Sequence, residues 1–424
     1  MEKPLSPARL AELPQFAALK HRDFRYVWLA GASAAAAMWT AIVASAWLVF
    51  ERSSSSGWVG IITFAAMIPF LVVSPIGGLL GDTFDRKKIG IITLAANAAV
   101  AGILAALAIF GSIQLWHVTL LALAAGISRS IQEPAMQALV PNLVPREDLL
   151  NALILQGASR HGARFFGLLV AAPLLKIDRF GISGVLVLSI AFYLLGVVFM
   201  SRVRTTSSGE IQPEHSLLRS VADGLVYLYS HHAIALFIIL VAFHCSLVMS
   251  FESIMPVFSK DSLGAEDPSV FNYLMMGFGV GSLAGMMVIA GMRSERRKGQ
   301  ALLLTGLASG ISPVLLALSG NIPVAVLFAA SMGASQATFM ALTGTYVQTM
   351  APDALRARIS SLYALHAGGI MAFANLGYGF IADALSAPPI LITTGLLFIA
   401  VVAGLAVGEP IMRQVYRTGE VATA

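Results

Sequence analysis

The chain has 424 residues, of which 57% are hydrophobic and only 12% are charged, and its formal net charge is +5 at pH 7. Soluble domains carry about a quarter charged residues, so this composition excludes a water-soluble globular protein and predicts an integral membrane protein. The basic residues fall in short clusters between apolar runs, which argues against nucleic-acid binding. The single cysteine, Cys245, permits neither an intramolecular disulfide nor a multi-cysteine metal cluster, and we expect it to be a packing residue.

Twelve apolar runs predict twelve transmembrane helices. A helix needs about 20 apolar residues to cross a bilayer, and all its backbone polar groups must be hydrogen-bonded within the segment. The sequence therefore predicts an all-α fold. The runs cover residues 25–50, 57–80, 89–110, 115–138, 151–174, 181–201, 233–257, 269–291, 300–319, 322–348, 359–383 and 388–408.

The basic residues indicate how the chain is oriented in the membrane. Of the 27 Lys and Arg residues, 20 fall in the two tails and in alternate loops on one side of the predicted spans, against four on the other side. Cytoplasmic loops carry the excess of Lys and Arg, so we expect both termini to be cytoplasmic.

The longest connection divides the chain into two groups of six spans. We expect residues 1–201 to form an N-terminal six-helix bundle, residues 202–232 a cytoplasmic linker, and residues 233–424 a C-terminal six-helix bundle with a cytoplasmic tail. The end of the linker, HSLLRSVADGLVYLYS, has apolar residues at helical spacing, which predicts an amphipathic helix on the cytoplasmic face.

The two halves of the sequence contain matching residues when one half is shifted by 207 positions. Gly78 falls on Gly285 at this shift, and Pro145 falls on Pro352. Coincident loop signals at one shift indicate duplicated, pseudo-symmetric bundles, and transporters built in this way bind their ligand near the middle of the membrane.

The stretch GGLLGDTFDRKK, residues 77–88, resembles the cytoplasmic loop motif of the major facilitator superfamily. Gly78, Asp82, Arg86 and Lys87 match this motif. Glycine permits close helix approach, whereas Asp82 and Arg86 are suited to bonding neighbouring helix ends. The resemblance implies the twelve-helix major facilitator fold and a role for these four residues as a latch for the outward-facing state. Plain anchoring at the cytoplasmic surface is the alternative.

Two further stretches resemble the branch of this superfamily that includes enterobactin exporters and macrolide efflux proteins. They are EPAMQALVPNLVPREDLLNA, residues 133–152, and VQTMAPDALRARISSLYAL, residues 347–365. The resemblance implies a bacterial inner-membrane exporter of siderophore-like or drug-like compounds. It also implies a cytoplasmic gate at Pro352, Arg356 and Arg358.

Charged residues interrupt the fourth predicted span. Arg129 and Glu133 are four residues apart, so their side chains meet on one helix face. A charge at the centre of a bilayer costs about 3 kcal/mol, so we expect the pair to face the bundle interior. Either it is a structural ion pair, or Glu133 takes a proton while Arg129 binds an anionic or acceptor-rich substrate.

The fifth span adds Arg160, His161 and Arg164. Positions 160 and 164 share a face and position 161 is adjacent to it. The single carboxylate of Glu133 cannot balance the charge of two arginines and a histidine. The excess positive charge would be neutralised by an anionic substrate. The following residues are similar to a Gly-Pro-x-x-Gly-Gly pattern of antiporters, of which Gly167 is retained. Anchoring at the cytoplasmic surface is the alternative for Arg160.

In the second half, His244 and Glu252 lie in the seventh predicted span. They are eight residues apart, about two helical turns, and we expect them on one face. A histidine and a buried carboxylate are suited to carrying protons. The alternative for Glu252 is a place near the outer end of the helix.

Aromatic and thioether side chains are expected to line a central cavity for a bulky amphipathic cargo, although the same side chains are also suited to lipid or core positions. The candidates are Trp39, Trp47, Phe64, Met67, Phe243, Met249, Phe339 and Met340.

The sequence contains no GxxxxGK[ST] loop and no paired metal-ligand motif, so we expect no cofactor and no metal. The hypothesis is a monomeric secondary transporter that exports a small amphipathic or anionic compound by proton antiport with alternating access. Its partners would be the substrate, protons and the lipid bilayer. A membrane-embedded enzyme acting on a lipid-linked substrate, a non-transporting receptor and an uptake transporter of the same fold are the alternatives.

Overall fold

The computed structural model of the protein describes residues 14–73, 80, 83–177, 180–206, 225–290, 292, 294–352 and 355–421. All regular secondary structure within these ranges is helical. Nine helical segments within these ranges are long and apolar enough to cross a membrane, with the irregular segment His232–Ser262 counted as one, and Ser56–Val72 is a shorter apolar helix. The predicted all-α integral membrane fold is confirmed.

Each of the predicted spans overlaps a helix over at least part of its described residues. A 3-10 helix, Pro14–Lys20, precedes the first span, and a short helix follows the last one. The helices are α1 Arg22–Ser53, α2 Ser56–Val72, α3 Arg86–Ile109, α4 Leu115–Leu139, α5 Arg146–Leu175, α6 Gly181–Ser201, α7 His232–His244, α8 Ser269–Ala290, α9 Glu295–Ala317, α10 Ile322–Met350, α11 Arg356–Leu385, α12 Ala387–Gly408 and α13 Pro410–Thr418.

Side-chain caps fix where several helices begin. The Asp85 carboxylate accepts a hydrogen bond from Lys87 N at the start of α3. The Asn321 side chain accepts one from Val324 N, 3.1 Å away, at the start of α10. Such caps satisfy backbone N–H groups that have no partner within the helix.

The prediction of a continuous helix over residues 233–257 is wrong. After α7 ends at His244, the chain forms a π-helical turn over Cys245–Met249 and a 3-10 turn over Glu252–Ile254. Neighbouring side chains satisfy the backbone groups released by the break, since Ser250 Oγ donates to Cys245 O at 2.7 Å. The next turn contains Pro256, which has no N–H to donate. Breaks of this kind are tolerated in membrane helices when side chains supply the missing bonds.

The described chain forms two compact units. Unit 1 comprises Met1–Ala44 and Val72–Gln212, and unit 2 comprises Ser45–Leu71 and Pro213–Ala424. In unit 1, α3 packs against α4 and α6, whereas in unit 2 α9 packs against α10 and α12. Because α4 begins at Leu115 and α10 begins at Ile322, 207 positions later, the same packing pairs recur at the shift found in the sequence. Of the predicted linker helix, residues 225–230 are helical and residues 215–224 lie outside the described residues.

Glycines set the contact between α8 and α10. Gly277, Gly281 and Gly285 repeat every four residues along α8 and face the backbone of α10. A Cβ atom on Gly281 would overlap Ala330 O, and one on Gly285 would lie 2.6 Å from Ala334 O. Small residues at such spacing let helix backbones approach closely, which is a main source of helix association in lipid.

Asp383, near the end of α11, caps the N-terminus of α2 within unit 2. Its carboxylate accepts hydrogen bonds from Ser56 N at 2.6 Å and from Gly57 N at 3.1 Å. Ser55 Oγ donates a third bond at 2.5 Å. A carboxylate at a helix N-terminus is favoured by the helix dipole as well as by the hydrogen bonds.

We predict that Gly281→Val prevents correct folding, because the branched side chain cannot be placed against the α10 backbone. The purified variant should fail to give a monodisperse peak in size-exclusion chromatography. Gly102→Ala is the matched control, since a Cβ there has no neighbour within 4 Å. Alanine in a helix interior is favoured over glycine by about 1 kcal/mol, so the control should unfold at or above the wild-type temperature. A well-folded Gly281→Val protein would contradict the close contact.

Candidate functional site

A cavity of about 100 Å³ lined by both apolar and charged residues lies within unit 1, between α1, α4, α5 and α6. Small residues of α1 form one wall, and polar residues of α4 and α5 form the opposite walls. The lining residues are Gly31, Ala34, Ala35, Met38, Arg129, Gln132, Glu133, Met136, Gln137, Gln156, Ser159, Arg160 and Tyr193.

Three of the charged residues predicted from the sequence line this cavity. Arg129 and Glu133 come from α4, and Arg160 comes from α5. Arg160 Nη1 lies 3.9 Å from Glu133 Oε2, and the two side chains are 50% and 39% exposed. The sequence predicted a pair between Glu133 and Arg129 on one helix, and the structure adds an ion pair between Glu133 on α4 and Arg160 on α5. Both side chains remain accessible, so this pair is not sealed in the core.

Neutral polar residues complete the lining. Gln132 and Gln137 flank Glu133 on α4, while Gln156 and Ser159 precede Arg160 on α5. Asn97 Nδ2, on α3, lies 3.5 Å from Gln132 Oε1 and supports its orientation. These neutral residues were not among the predicted site residues, although polar side chains within apolar spans are a signal that the sequence contains.

Contacts between the first helices and α5 hold the cavity walls in place. Trp28 Nε1 donates to Leu155 O at 2.9 Å, and Ala18 N donates to Asn151 Oδ1 at 2.9 Å. Further along α5, a Cβ on Gly167 would lie 2.9 Å from Ala36 O. Gly167 therefore permits close approach of α1 and α5, which explains why a small residue is needed there.

Arg164 does not join the cavity lining, contrary to the expectation that it faces the substrate. Its side chain is 5% exposed, and the guanidinium carbon lies 3.6 Å from the centre of the Trp39 ring. A cation over an indole face is stabilised by the ring quadrupole, and the gain is largest where water is excluded. Trp39 and Arg164 thus fasten α1 to α5 one turn from Arg160. The side chain of His161 lies outside the described residues.

The predicted latch is only partly described. Arg86 Nη1 donates to Ala138 O at 2.9 Å, in the last turn of α4, which is the kind of helix end expected from the motif. Lys87 contributes its backbone N–H to the Asp85 cap. Gly78 and Asp82 lie outside the described residues.

The predicted cytoplasmic gate is also only partly described. Pro352 is exposed at the connection between α10 and α11, and Pro352 O accepts a hydrogen bond from Leu355 N at 2.9 Å. The side chains of Arg356 and Arg358 lie outside the described residues.

In unit 2 the structure corrects the predictions for His244 and Phe339. His244 is fully buried, with its ring 4.6 Å from that of Phe339 and 5.1 Å from that of Phe398. Phe339 is fully buried in the same core, so it does not line an open cavity. The break after His244 also removes the helical register that would have placed Glu252 on the same face.

The other predicted cavity residues do not line the unit 1 cavity. Phe64 packs against Phe373, with ring centres 5.1 Å apart, and Met67 is half-buried on α2. Phe243 is 43% exposed. Chemically, the cavity in unit 1 therefore offers guanidinium and amide donors, one carboxylate and a flexible thioether wall. It has the features of a binding site, and its groups do not form a nucleophile–base arrangement.

Residues 13–416 match the sequence profile of a family described as transmembrane secretion effector. Among curated proteins, the multidrug efflux pump Tap of Mycobacterium tuberculosis is 25% identical over 346 residues, which cover 77% of this chain and 79% of that protein. Macrolide efflux protein A of Streptococcus pyogenes is 23% identical over 377 residues, or 86% of this chain and 89% of that protein. These relatives are transporters and not enzymes.

Solved structures show the same fold. The nucleoside transporter NupG superposes with a TM-score of 0.70 at 11% identity, over 91% of this chain and 98% of that one. A POT family transporter bound to 5-aminolevulinic acid gives a TM-score of 0.69 at 12% identity, over 92% of this chain and 96% of that one.

We predict that Trp39→Leu destabilises the protein by about 2 kcal/mol, because it removes the ring that stabilises the buried Arg164 cation. Trp39→Phe should lose less, since phenylalanine keeps a weaker aromatic face. Thermal unfolding in detergent measures the effect. Trp116→Leu, at a tryptophan that is 54% exposed, is the control. Equal losses at the two positions would show that the cation–ring contact adds no stability.

Proposed function

Because the chain belongs to the transmembrane secretion effectors of the major facilitator superfamily, we propose that it exports drug-like amphipathic compounds in exchange for protons. The observation that carries this proposal is the unit 1 cavity, where Arg129, Glu133 and Arg160 come from α4 and α5, which coincide with the fourth and fifth predicted spans. Each such charge costs about 3 kcal/mol to place in the membrane, so a working role explains their presence.

The lining of the cavity supports a cargo rich in oxygen acceptors. Arg129 and Arg160 offer guanidinium donors, and Gln132, Gln137 and Gln156 offer amides. Guanidinium groups bind carbonyl, hydroxyl and carboxylate oxygens strongly and with defined geometry. The side chain of Met38 offers an adaptable apolar surface to the rest of the molecule. The export of drugs by the related pumps agrees with this class of cargo.

Proton antiport adds a second requirement for the cargo. In an antiporter, a proton and the cargo must each weaken the binding of the other. Glu133 meets this condition when its carboxylate binds either a proton or a positively charged amine of the cargo. Protonation of Glu133 removes its negative charge and makes the cavity more positive. An anionic cargo would therefore bind more strongly after protonation, which is the opposite of what antiport requires. We therefore favour an oxygen-rich amphipathic compound that carries a basic group, and the anionic, siderophore-like cargo is the second candidate.

We further propose that the protein works as a monomer by alternating access in the bacterial plasma membrane. The excess of Lys and Arg in alternate loops supports cytoplasmic termini. The absence of a nucleotide-binding loop from the sequence supports an ion gradient as the energy source.

Expression in a bacterial strain that lacks its own drug pumps tests the function directly. We expect lower accumulation and raised resistance for amphipathic amines such as macrolides, and the effect should disappear when a protonophore collapses the gradient. Export that persists without a proton gradient would remove the antiport proposal. Resistance to none of a broad panel of amines and anions would remove the drug-export proposal.

We predict that Glu133→Gln abolishes the coupling of transport to a pH gradient in vesicles, because the amide cannot exchange a proton. In the wild-type protein, binding of a cationic drug should weaken as the pH falls, and in the variant this pH dependence should flatten. Glu147→Gln makes the same change at an exposed position at the start of α5 and should behave like wild type. Binding that strengthens as the pH falls would instead identify an anionic cargo. Unchanged coupling of transport to the pH gradient in Glu133→Gln would show that the carboxylate has only a structural role.

A further inference from the structure

The duplicated halves place a second cluster in unit 2 at positions equivalent to the unit 1 cavity. At the shift of 207 positions, Met38 corresponds to Cys245 and Glu133 to Met340. Gln156, Arg160 and Arg164 correspond to Tyr363, Ala367 and Met371. These counterparts pack together in unit 2, with Val241 and Met249 beside them. Glu133, Arg160 and Arg164 of unit 1 are thus replaced by methionine, alanine and methionine, whereas Arg129 corresponds to Gln336.

The sulfur atoms of this cluster lie close together. Cys245 Sγ is 4.0 Å from Met249 Sδ and 3.9 Å from Met340 Sδ. The thiol is buried, with 1% of Cys245 exposed. Met249 ends the π-helical turn that Cys245 begins, so the irregular backbone of this segment sets their spacing.

Hydrogen bonds hold the third sulfur in position. Tyr363 Oη, on α11, donates to Met340 O at 3.0 Å and lies 2.8 Å from Thr343 Oγ1. The same hydroxyl lies 3.7 Å from Met340 Sδ. The tyrosine therefore joins α10 to α11 and contacts both the backbone and the sulfur of Met340.

We propose that Cys245, Met249 and Met340 form a binding site for a soft monovalent cation, Cu(I) or Ag(I). Thiolate and thioether ligands select Cu(I) over harder ions. With metal–sulfur bonds of about 2.3 Å, three sulfur atoms arranged around one ion in a plane lie about 4 Å apart, which matches both distances from Cys245.

Charge balance favours a monovalent ion at this depth in the membrane. Binding replaces the thiol proton with the cation, so that Cys–SH and M⁺ give a neutral Cys–S–M unit and one released proton. A divalent ion on the same ligands would leave a net positive charge in hydrocarbon, which is costly. No group of three His, Cys, Asp or Glu residues that could hold a harder metal occurs within the described ranges.

The purified full-length protein, titrated in detergent with Ag⁺ as a redox-stable probe for Cu(I), tests this site. We expect one tightly bound ion per chain, measured by calorimetry and by metal analysis after dialysis. Loss of a residue that only supports a metal ligand costs about 10- to 100-fold in affinity, so Cys245→Ser, which removes the ligand itself, should cost at least about 100-fold. Met340→Leu and Met249→Leu each remove a neutral thioether ligand and should each weaken binding at least about tenfold, the lower end of that range, while leaving the fold intact.

Met332→Leu is the matched control, because Met332 is buried on α10, two turns before Met340, and is not part of the cluster. It should bind Ag⁺ as the wild type does. X-ray absorption of the Cu(I)-loaded protein should show a shell of sulfur neighbours. Absence of stoichiometric binding, binding that survives Cys245→Ser, or a shell of nitrogen neighbours would each overturn the proposal. This titration measures metal binding and not drug export, so its outcome does not depend on the proposed export function.

Discussion

The structure depends on one constraint, which is that hydrocarbon supplies no hydrogen-bond partners. Every backbone group within a span must therefore be paired by the protein, and helices meet this requirement within each segment. Where α7 breaks, Ser250 supplies a bond that the helix no longer makes. The same constraint explains the cap at Asp383, because the N–H groups at the start of α2 need an acceptor.

Lipid tails are as apolar as the helix surfaces, so the hydrophobic effect does little to drive helices together. Close packing and buried polar interactions must therefore hold the helices in contact. Unit 2 uses glycines for this purpose, as Gly281 against α10 illustrates. In unit 1, the stacking of Arg164 on Trp39 and the hydrogen bond from Trp28 to α5 hold the walls of the cavity in place. Residues that look functional in the sequence are therefore divided between the cavity and the contacts that support it.

The two units share a packing plan but differ in chemistry. The positions that carry Glu133 and Arg160 in unit 1 carry Met340 and Ala367 in unit 2. Duplication preserves which helices pack together, because that depends on small residues and on helix lengths. It does not preserve the polar side chains, which cost free energy in the membrane unless they serve a purpose. The asymmetry agrees with a carrier whose charged site lies in one unit.

The sequence by itself determined the helical membrane fold, the family and the repeat, because span length, hydropathy and loop motifs are local properties of the chain. It also found Arg129, Glu133 and Arg160, since a charge in an apolar run needs no tertiary information to be noticed. Only the tertiary structure decided their partners, placing Arg160 beside Glu133 and Arg164 on Trp39. Such pairings join different helices, and their distances depend on packing that helical periodicity does not encode.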